Sequence, residues 1–309
     1  MFEKIIKDIK NLKIQGAENV AKSSIIVISE ILDSNASSKE LYVKLLSVKK
    51  SLIECRPTEP CLRNTLTLIF YKVNEYNFKE QIRKNIELAR NHFELSNNAI
   101  SQIGSKKIKD GMVVFTHCHS SAVMNVMKTA KKDGIKFSVK NTETRPLFQG
   151  RITAKELNDE GISVEHFIDS AGRLAVKSSD LVLIGADAIT SEGYVINKIG
   201  SEMFAEAAKL KEIPVYVCTD SWKFDVETIF GFDEIIEKRH ESEVWKDKPK
   251  GVNISNHAFE KVNPELITAI ISEIGVYSPQ VFITEMRRNY PWLFENASKS
   301  KKTLLSRFL

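Results

Sequence analysis

Through the first hundred residues, apolar side chains recur at spacings of three and four. Val20, Ile25, Ile26, Ile28, Ile31 and Leu32 mark residues 18–33. Leu41, Val43, Leu45, Leu46, Val48, Leu52 and Ile53 mark residues 38–54, and Ile82, Ile86, Leu88, Ala89, Phe93 and Ile100 mark residues 78–103. That period gathers apolar groups on one stripe of an α-helix, so it predicts packed amphipathic helices. The opening stretch repeats the pattern with Phe2, Ile5, Ile6, Ile9 and Leu12. Asn35, Ser37 and Ser38 form an N-cap region. Arg56-Pro57-Thr58-Glu59-Pro60 breaks the helical run, because a residue preceding proline is pushed out of the helical region.

From about residue 110 the pattern changes. Short apolar runs, MVVFT, FSVKN, EHFID, LVLIG and VYVCT, alternate with helical stretches. Strand followed by helix, repeated, predicts a parallel sheet covered by helices on both faces. The expected fold class is α/β. An N-terminal helical domain (1–108) precedes a Rossmann-like parallel-sheet α/β domain (109–294), with a basic C-terminal tail (295–309) reading as a frayed terminus. Ligands of such sheets bind outside the carboxyl ends of the strands. Those ends carry Cys118, Glu143-Thr144-Arg145, Asp169-Ser170, Asp187 and Thr219-Asp220.

Charge and composition narrow the function classes. Lys and Arg number 45 against 40 Asp and Glu, a net charge of +5. That excess suits phosphorylated metabolites and is too diffuse to argue for direct nucleic-acid binding. Cys55, Cys61, Cys118 and Cys218 do not make a disulfide framework in a chain this long. No apolar run is long enough to span a membrane and no secretory segment opens the chain, so a cytoplasmic protein is expected.

Three blocks carry candidate chemistry. In THCHSS (116–121), Cys118 lies where a strand gives way to a helix, whose N-terminal partial charge lowers a thiol's pKa. A small core cysteine is the plain alternative. In NTETRPLFQG (141–150), Arg145 offers a planar fork for phosphate or carboxylate; the alternative is a salt bridge to Glu143 that shapes the loop. In LIGADAITSEGYVINKIG (183–200), Asp187 ends a buried strand, poised for acid–base work. Asn197-Lys198-Ile199-Gly200 then opens a helix where Lys198 and backbone N–H groups could hold an anion. A zinc site at His117-Cys118-His119 is disfavoured: in a strand the histidines share one face and the cysteine takes the other, and no further ligand pair has the spacing.

The motifs RPT (56–58), THC (116–118), ETRPLFQG (143–150), GADAI (185–189) and NKIG (197–200), in this order, resemble one family. It unites ribose-1,5-bisphosphate isomerases, methylthioribose-1-phosphate isomerases and the alpha, beta and delta subunits of translation initiation factor 2B. IQGAENVAK (14–22) is similar to its helical domain, and IISEIGVYSP (270–279) to its C-terminal strand and turn. The resemblance implies Cys118 and Asp187 as the catalytic pair of an aldose–ketose isomerase. The branch most like this chain converts ribose 1,5-bisphosphate to ribulose 1,5-bisphosphate in nucleotide salvage. It further implies substrate contacts from Gln15, Gly16, Ala17, Arg56, His119, Arg145, Gln149, Asn197 and Lys198, and no metal or redox cofactor. AMP as activator and a homodimer or hexamer follow from the same resemblance. Two positions differ from the isomerase pattern: His119 replaces asparagine and Gln15 replaces arginine. A non-catalytic factor-2B-like regulatory subunit and a methylthioribose-1-phosphate-type isomerase are the alternatives.

Overall fold

The computed structural model describes residues 2–11, 13–234 and 236–295. Leu12 and the tail beyond Glu295 lie outside them. Contacts divide the chain into two compact units. The division is not linear, as a single cut at residue 108 would make it. Of the described residues, those in 2–95, 222–233 and 286–295 belong to one unit, and those in 96–221 and 234–285 to the other.

The first unit is helical: α1 (Phe2–Lys10), α2 (Ala17–Leu32), α3 (Ser38–Cys55), α4 (Pro60–Ile69) and α5 (Phe78–Ser105), which continues past Leu95. Ser37 caps α3, and α3 stops at Cys55 before the Arg56-Pro57 turn. The predicted stripes converge in the core through Val20, Ile25, Ile28, Leu41, Leu45, Leu52, Ile82 and Phe93. Ile26, Val43, Leu46 and Leu88 stay exposed. Helix α4 escaped the spacing reading. Its buried Asn64 donates to the carbonyls of Trp222 (2.7 Å) and Phe224 (2.8 Å), tying a later segment into this unit. The Trp222 ring stacks on His92 at 3.6 Å.

The second unit carries β1 (Val113–Thr116), α6 (Ser121–Lys132), β2 (Ser138–Thr142), α7 (Gln149–Asp159), β3 (Ser163–Phe167), α8 (Gly172–Lys177), β4 (Leu181–Ile184), β5 (Ala188–Ile189), β6 (Val195–Lys198), α9 (Ser201–Lys209), β7 (Val215–Cys218), β8 (Phe259–Val262), β9 (Ala269–Ser272), β10 (Gly275–Tyr277) and α10 (Pro279–Asn289). The chain is therefore α/β and Rossmann-like. A seven-stranded sheet runs β10-β9-β7-β4-β1-β2-β3, parallel except for β10. An antiparallel sheet of three strands, β5-β6-β8, accompanies it. The strands β1 and β4 are almost wholly buried, which explains their continuous apolar runs. Among the described residues no helix is long and apolar enough to cross a membrane.

The strand order fixes where a ligand can sit. From β1 the chain winds outward to β2 and β3, then returns to the other side of β1 as β4. The reversal falls between β1 and β4, and the crevice beyond their carboxyl ends is a topological switch point. His117, just past β1, braces that crevice. It is 2% exposed. Its Nε2 meets the Ile199 carbonyl at 2.9 Å and its Nδ1 meets the Thr142 hydroxyl at 2.6 Å. A carbonyl only accepts, so Nε2 carries the proton and Nδ1 accepts from Thr142. One neutral ring thus joins the ends of β1, β2 and β6. Gly150 makes a second brace. Its carbonyl accepts from Asn141 Nδ2 at 2.6 Å, and a Cβ there would lie 1.7 Å from the Thr142 carbonyl oxygen.

Two outcomes are expected. Gly150→Ala must push the β2–α7 junction apart, costing about 3 kcal/mol; a urea midpoint equal to wild type would contradict the tight fit. Burial holds the His117 pKa down to about 4 from 6.5, against opposing help from the Ile199 carbonyl and Asp169. Between those two values the unfolded chain binds the extra proton, so stability is present above pH 6.5 and falls as pH drops toward 4. From pH 7 to pH 5 the loss from this group is about 2 kcal/mol. Urea titrations should show His117→Gln losing correspondingly less than wild type over that interval; parallel losses would refute the assignment.

Candidate active site

Cys118 lies two residues beyond β1 and three before α6. Its φ of +66° is in the left-handed region, uncommon for a residue with a side chain. Two threonines hold it there. Its N–H donates to Thr144 Oγ1 at 3.0 Å, and its carbonyl accepts from Thr153 Oγ1 at 2.8 Å. Thr144 also has positive φ, +62°. The Asp169 carboxylate accepts from the Thr144 N–H (2.8 Å) and the Arg145 N–H (2.7 Å). Strain of this kind persists only where surroundings over-determine it, and it clusters at functional sites.

Across the switch point, β4 runs into Gly185 and Asp187. A Cβ at Gly185 would meet Ser120 Oγ at 2.6 Å, so the two strand-end loops touch where a side chain would not fit. The Asp187 N–H donates to the Ile196 carbonyl at 2.8 Å, which turns the chain into the β5–β6 hairpin. Lys198, 6% exposed, ends β6. Its ammonium lies 4.9 Å from the Phe259 ring centroid and, among the described residues, has no carboxylate within ion-pair distance.

These groups act on the Cys118 thiol electrostatically. The residue keeps partial solvent access. Burial nevertheless pushes the thiol pKa up to about 11; Lys198 opposes that most, followed by the His119 N–H, while Asp187 raises it and Arg239 lowers it. The expected lowering at a helix N-terminus is therefore corrected: α6 begins too far along, and desolvation dominates. The thiol is protonated at neutral pH.

A second correction concerns Asn197-Lys198-Ile199-Gly200. Asn197 and Lys198 end a strand, and helix α9 starts at Ser201 after Gly200, whose φ is +102°. The N–H groups at that helix start already hold an anion. The Glu260 carboxylate accepts from Glu202 N at 2.8 Å, and the Gly200 and Ser201 N–H groups favour its charged form against the burial that raises its pKa. Asn197 is 5% exposed and its Nδ2 donates to Ser201 Oγ at 2.9 Å. A bound phosphate at this edge must therefore be met by side chains.

The remaining candidates fall in several places. The His119 ring faces α7: Nδ1 lies 2.9 Å from Thr153 Oγ1, and Nε2 lies 3.8 Å from Glu156. The Thr153 proton is committed to the Cys118 carbonyl, so His119 Nδ1 donates, and the ring supports Cys118 through Thr153. Arg145 is exposed; its Nη2 donates to the Val244 carbonyl at 3.1 Å. Glu143 pairs with Arg151 at 3.0 Å, so the Glu143–Arg145 bridge of the sequence reading does not form. Gln149 opens α7, and its buried Oε1 has no hydrogen-bond partner among the described residues. Gln15, Gly16, Ala17 and Arg56 belong to the helical unit. There Gly16, with φ +86°, precedes α2, Ala17 is buried, Gln15 is exposed, and Arg56 pairs with Glu59 at 2.7 Å.

Sequence reasoning missed Thr153 and Arg239. Thr153 carries no signal beyond its nearness to ETRPLFQG. Arg239 lies in a segment without periodicity.

A protonated thiol, on whose ionisation a carboxylate and a buried cation both act, is equipped for proton chemistry. Residues 13–279 match the initiation factor 2 subunit family. The ribose 1,5-bisphosphate isomerase of Pyrococcus furiosus is 38% identical over 96% of this chain and 95% of its own length. That of Methanocaldococcus jannaschii is 36% identical, over 95% and 96%. The crystal structure of a Pyrococcus horikoshii translation initiation factor eIF-2B superposes with a TM-score of 0.79 at 26% identity, over 91% of this chain and 98% of that one. This chain belongs to the initiation factor 2 subunit family.

Proposed function

We infer that this chain is an aldose–ketose isomerase that converts ribose 1,5-bisphosphate to ribulose 1,5-bisphosphate. The observation that carries the reading is that Asp187 and Lys198 both act electrostatically on Cys118, which lies beside the β1–β4 switch point, in a chain whose near-full-length relatives bear that name. Isomerisation requires the C1–O4 bond of the ring to break with a proton arriving at O4. The C2 proton must then leave, C1 must gain one, and the C2 hydroxyl must give up its proton as the ketone forms.

Cys118 suits the first step because it enters protonated. It donates to O4, and the thiolate left behind faces the Lys198 and Arg239 charges. Asp187 takes the C2 proton and returns it to C1, while the thiolate recovers the proton of the C2 hydroxyl. Every proton is accounted for, and no redox group is called for. Gln149 Oε1, buried without a donor among the described residues, suits a sugar hydroxyl. Lys198 suits a phosphate. Arg145, Asn197, His119, Arg56 and the Gln15-Gly16-Ala17 turn complete the proposed set, Asn197 and His119 through the groups they hold. A cytoplasmic location, AMP activation and a homodimer or hexamer belong to the same proposal.

The test is an NMR time course with ribose 1,5-bisphosphate, with and without AMP. Ribulose 1,5-bisphosphate should appear, and Asp187→Asn and Cys118→Ser should each slow turnover by about 100-fold or more. Substrate binding without turnover in the wild type would instead make the chain a regulatory subunit. The pH profile supplies a second test. The thiol of the free enzyme titrates near 11, so kcat/KM should stay flat from about pH 8 to pH 10. A tenfold rise per pH unit over that range would mean that the thiolate is the required form.

A further inference from the structure

We propose that Arg239 is a substrate-binding residue that completes a phosphoryl subsite with Lys198, and that this subsite takes the phosphate on C1, the carbon that gains the proton. The inference rests on the isomerase reading for its substrate.

Arg239 is held by its backbone. Its N–H donates to the Asn256 carbonyl at 2.9 Å, the Ala258 N–H donates to the Glu237 carbonyl at 2.9 Å, and Lys238 bridges to His257. Segment 237–239 thus lies along the chain leading into β8. In the β6–β8 ladder, Lys198 stands directly opposite Phe259. The Phe259 ring has the Lys198 ammonium at 4.9 Å and the Arg239 guanidinium at 5.8 Å from its centroid. One aromatic ring therefore sets two cations at a single edge.

Neither cation is fully satisfied. The Arg239 side chain is only 7% exposed. Its Nε donates to Glu237 Oε1 in an ion pair at 3.3 Å, while its buried Nη1 has no hydrogen-bond partner among the described residues. Lys198 has no carboxylate partner among them. A buried charged donor left without an acceptor is costly, so the Nη1 edge of this fixed guanidinium is prepared for an anionic acceptor. The helix α9 N-terminus cannot meet that anion, because Glu260 occupies it. A phosphoryl group offers oxygens to a guanidinium N–H and an ammonium together.

The position assigns the phosphate. Ile199, the residue after Lys198, is held at 2.9 Å by His117, the residue before Cys118, so the subsite lies beside the reacting groups rather than at the far end of the sugar. Only the C1 phosphate adjoins the carbon where the proton moves.

The experiment reads binding, not turnover. Thermal shift and calorimetry are run on wild type, Arg239→Gln and Arg239→Lys with ribose 1-phosphate and with ribose 5-phosphate. Arg239→Gln should raise the Kd for ribose 1-phosphate at least tenfold and leave that for ribose 5-phosphate within about twofold. Arg239→Lys should fall between, since it keeps the charge without the fork. A structural role alone would lower the melting temperature without ligand and leave both affinities unchanged. That result, or equal losses for both sugars, overturns the proposal. A wild type that binds through Arg239 yet never turns over ribose 1,5-bisphosphate would remove the isomerase reading and keep the subsite.

Discussion

Desolvation at the carboxyl end of β1 governs the chemistry of this protein. A thiol beside two cations would ordinarily ionise more easily. Here burial outweighs Lys198 and Arg239 and holds Cys118 protonated to about pH 11. The consequence reverses a familiar expectation for a cysteine at a strand–helix junction. Cys118 is suited to give a proton first, and the cations suit the thiolate that results. In the proposed subsite the same cations that lower the Cys118 pKa would also meet a phosphate.

That environment depends on loops from several strands meeting at one place. The switch in strand order opens the crevice, but the backbone around it has to be braced. His117 joins three strand ends through one neutral imidazole. Thr144 and Thr153 hold Cys118 at positive φ, and Asp169 holds Thr144 in turn. Gly150 lets α7 approach β2 closely enough for Thr153 to reach the Cys118 carbonyl. Thr144, from ETRPLFQG, and its neighbours Thr153 and Asp169 therefore serve to fix one cysteine.

Much of this was legible in the sequence for a physical reason. Parallel strands buried on both faces read as short apolar runs, so β1, β2, β4 and β7 stood out, and with them the strand ends that carry Cys118 and Asp187. The stripes of α2, α3 and α5 were equally plain. The small sheet was not, because β5 has only two residues and β6 (VINK) and β8 (FEKV) mix polar with apolar residues instead of forming an apolar run. Lys198 consequently looked like the start of a helix. The occupant of that helix start, Glu260, comes from 58 residues further on, a separation that no local pattern reports. Arg239 lay hidden for the same reason: its partner Phe259 is placed by pairing between distant segments. The thiol pKa was misjudged because burial is a property of the packed fold, whereas distance to a helix start can be guessed from spacing.

The most direct measurement of the central claim is the ionisation of Cys118 itself. Thiolate absorbance is followed against pH for wild type and Cys118→Ser, and the difference isolates this residue from the three buried cysteines. Burial as the dominant influence requires that no thiolate assignable to Cys118 appear below about pH 10, with a midpoint near 11. A difference midpoint at or below about 8.5, the ordinary thiol value, would show that the cations prevail and that Cys118 begins the reaction as a base.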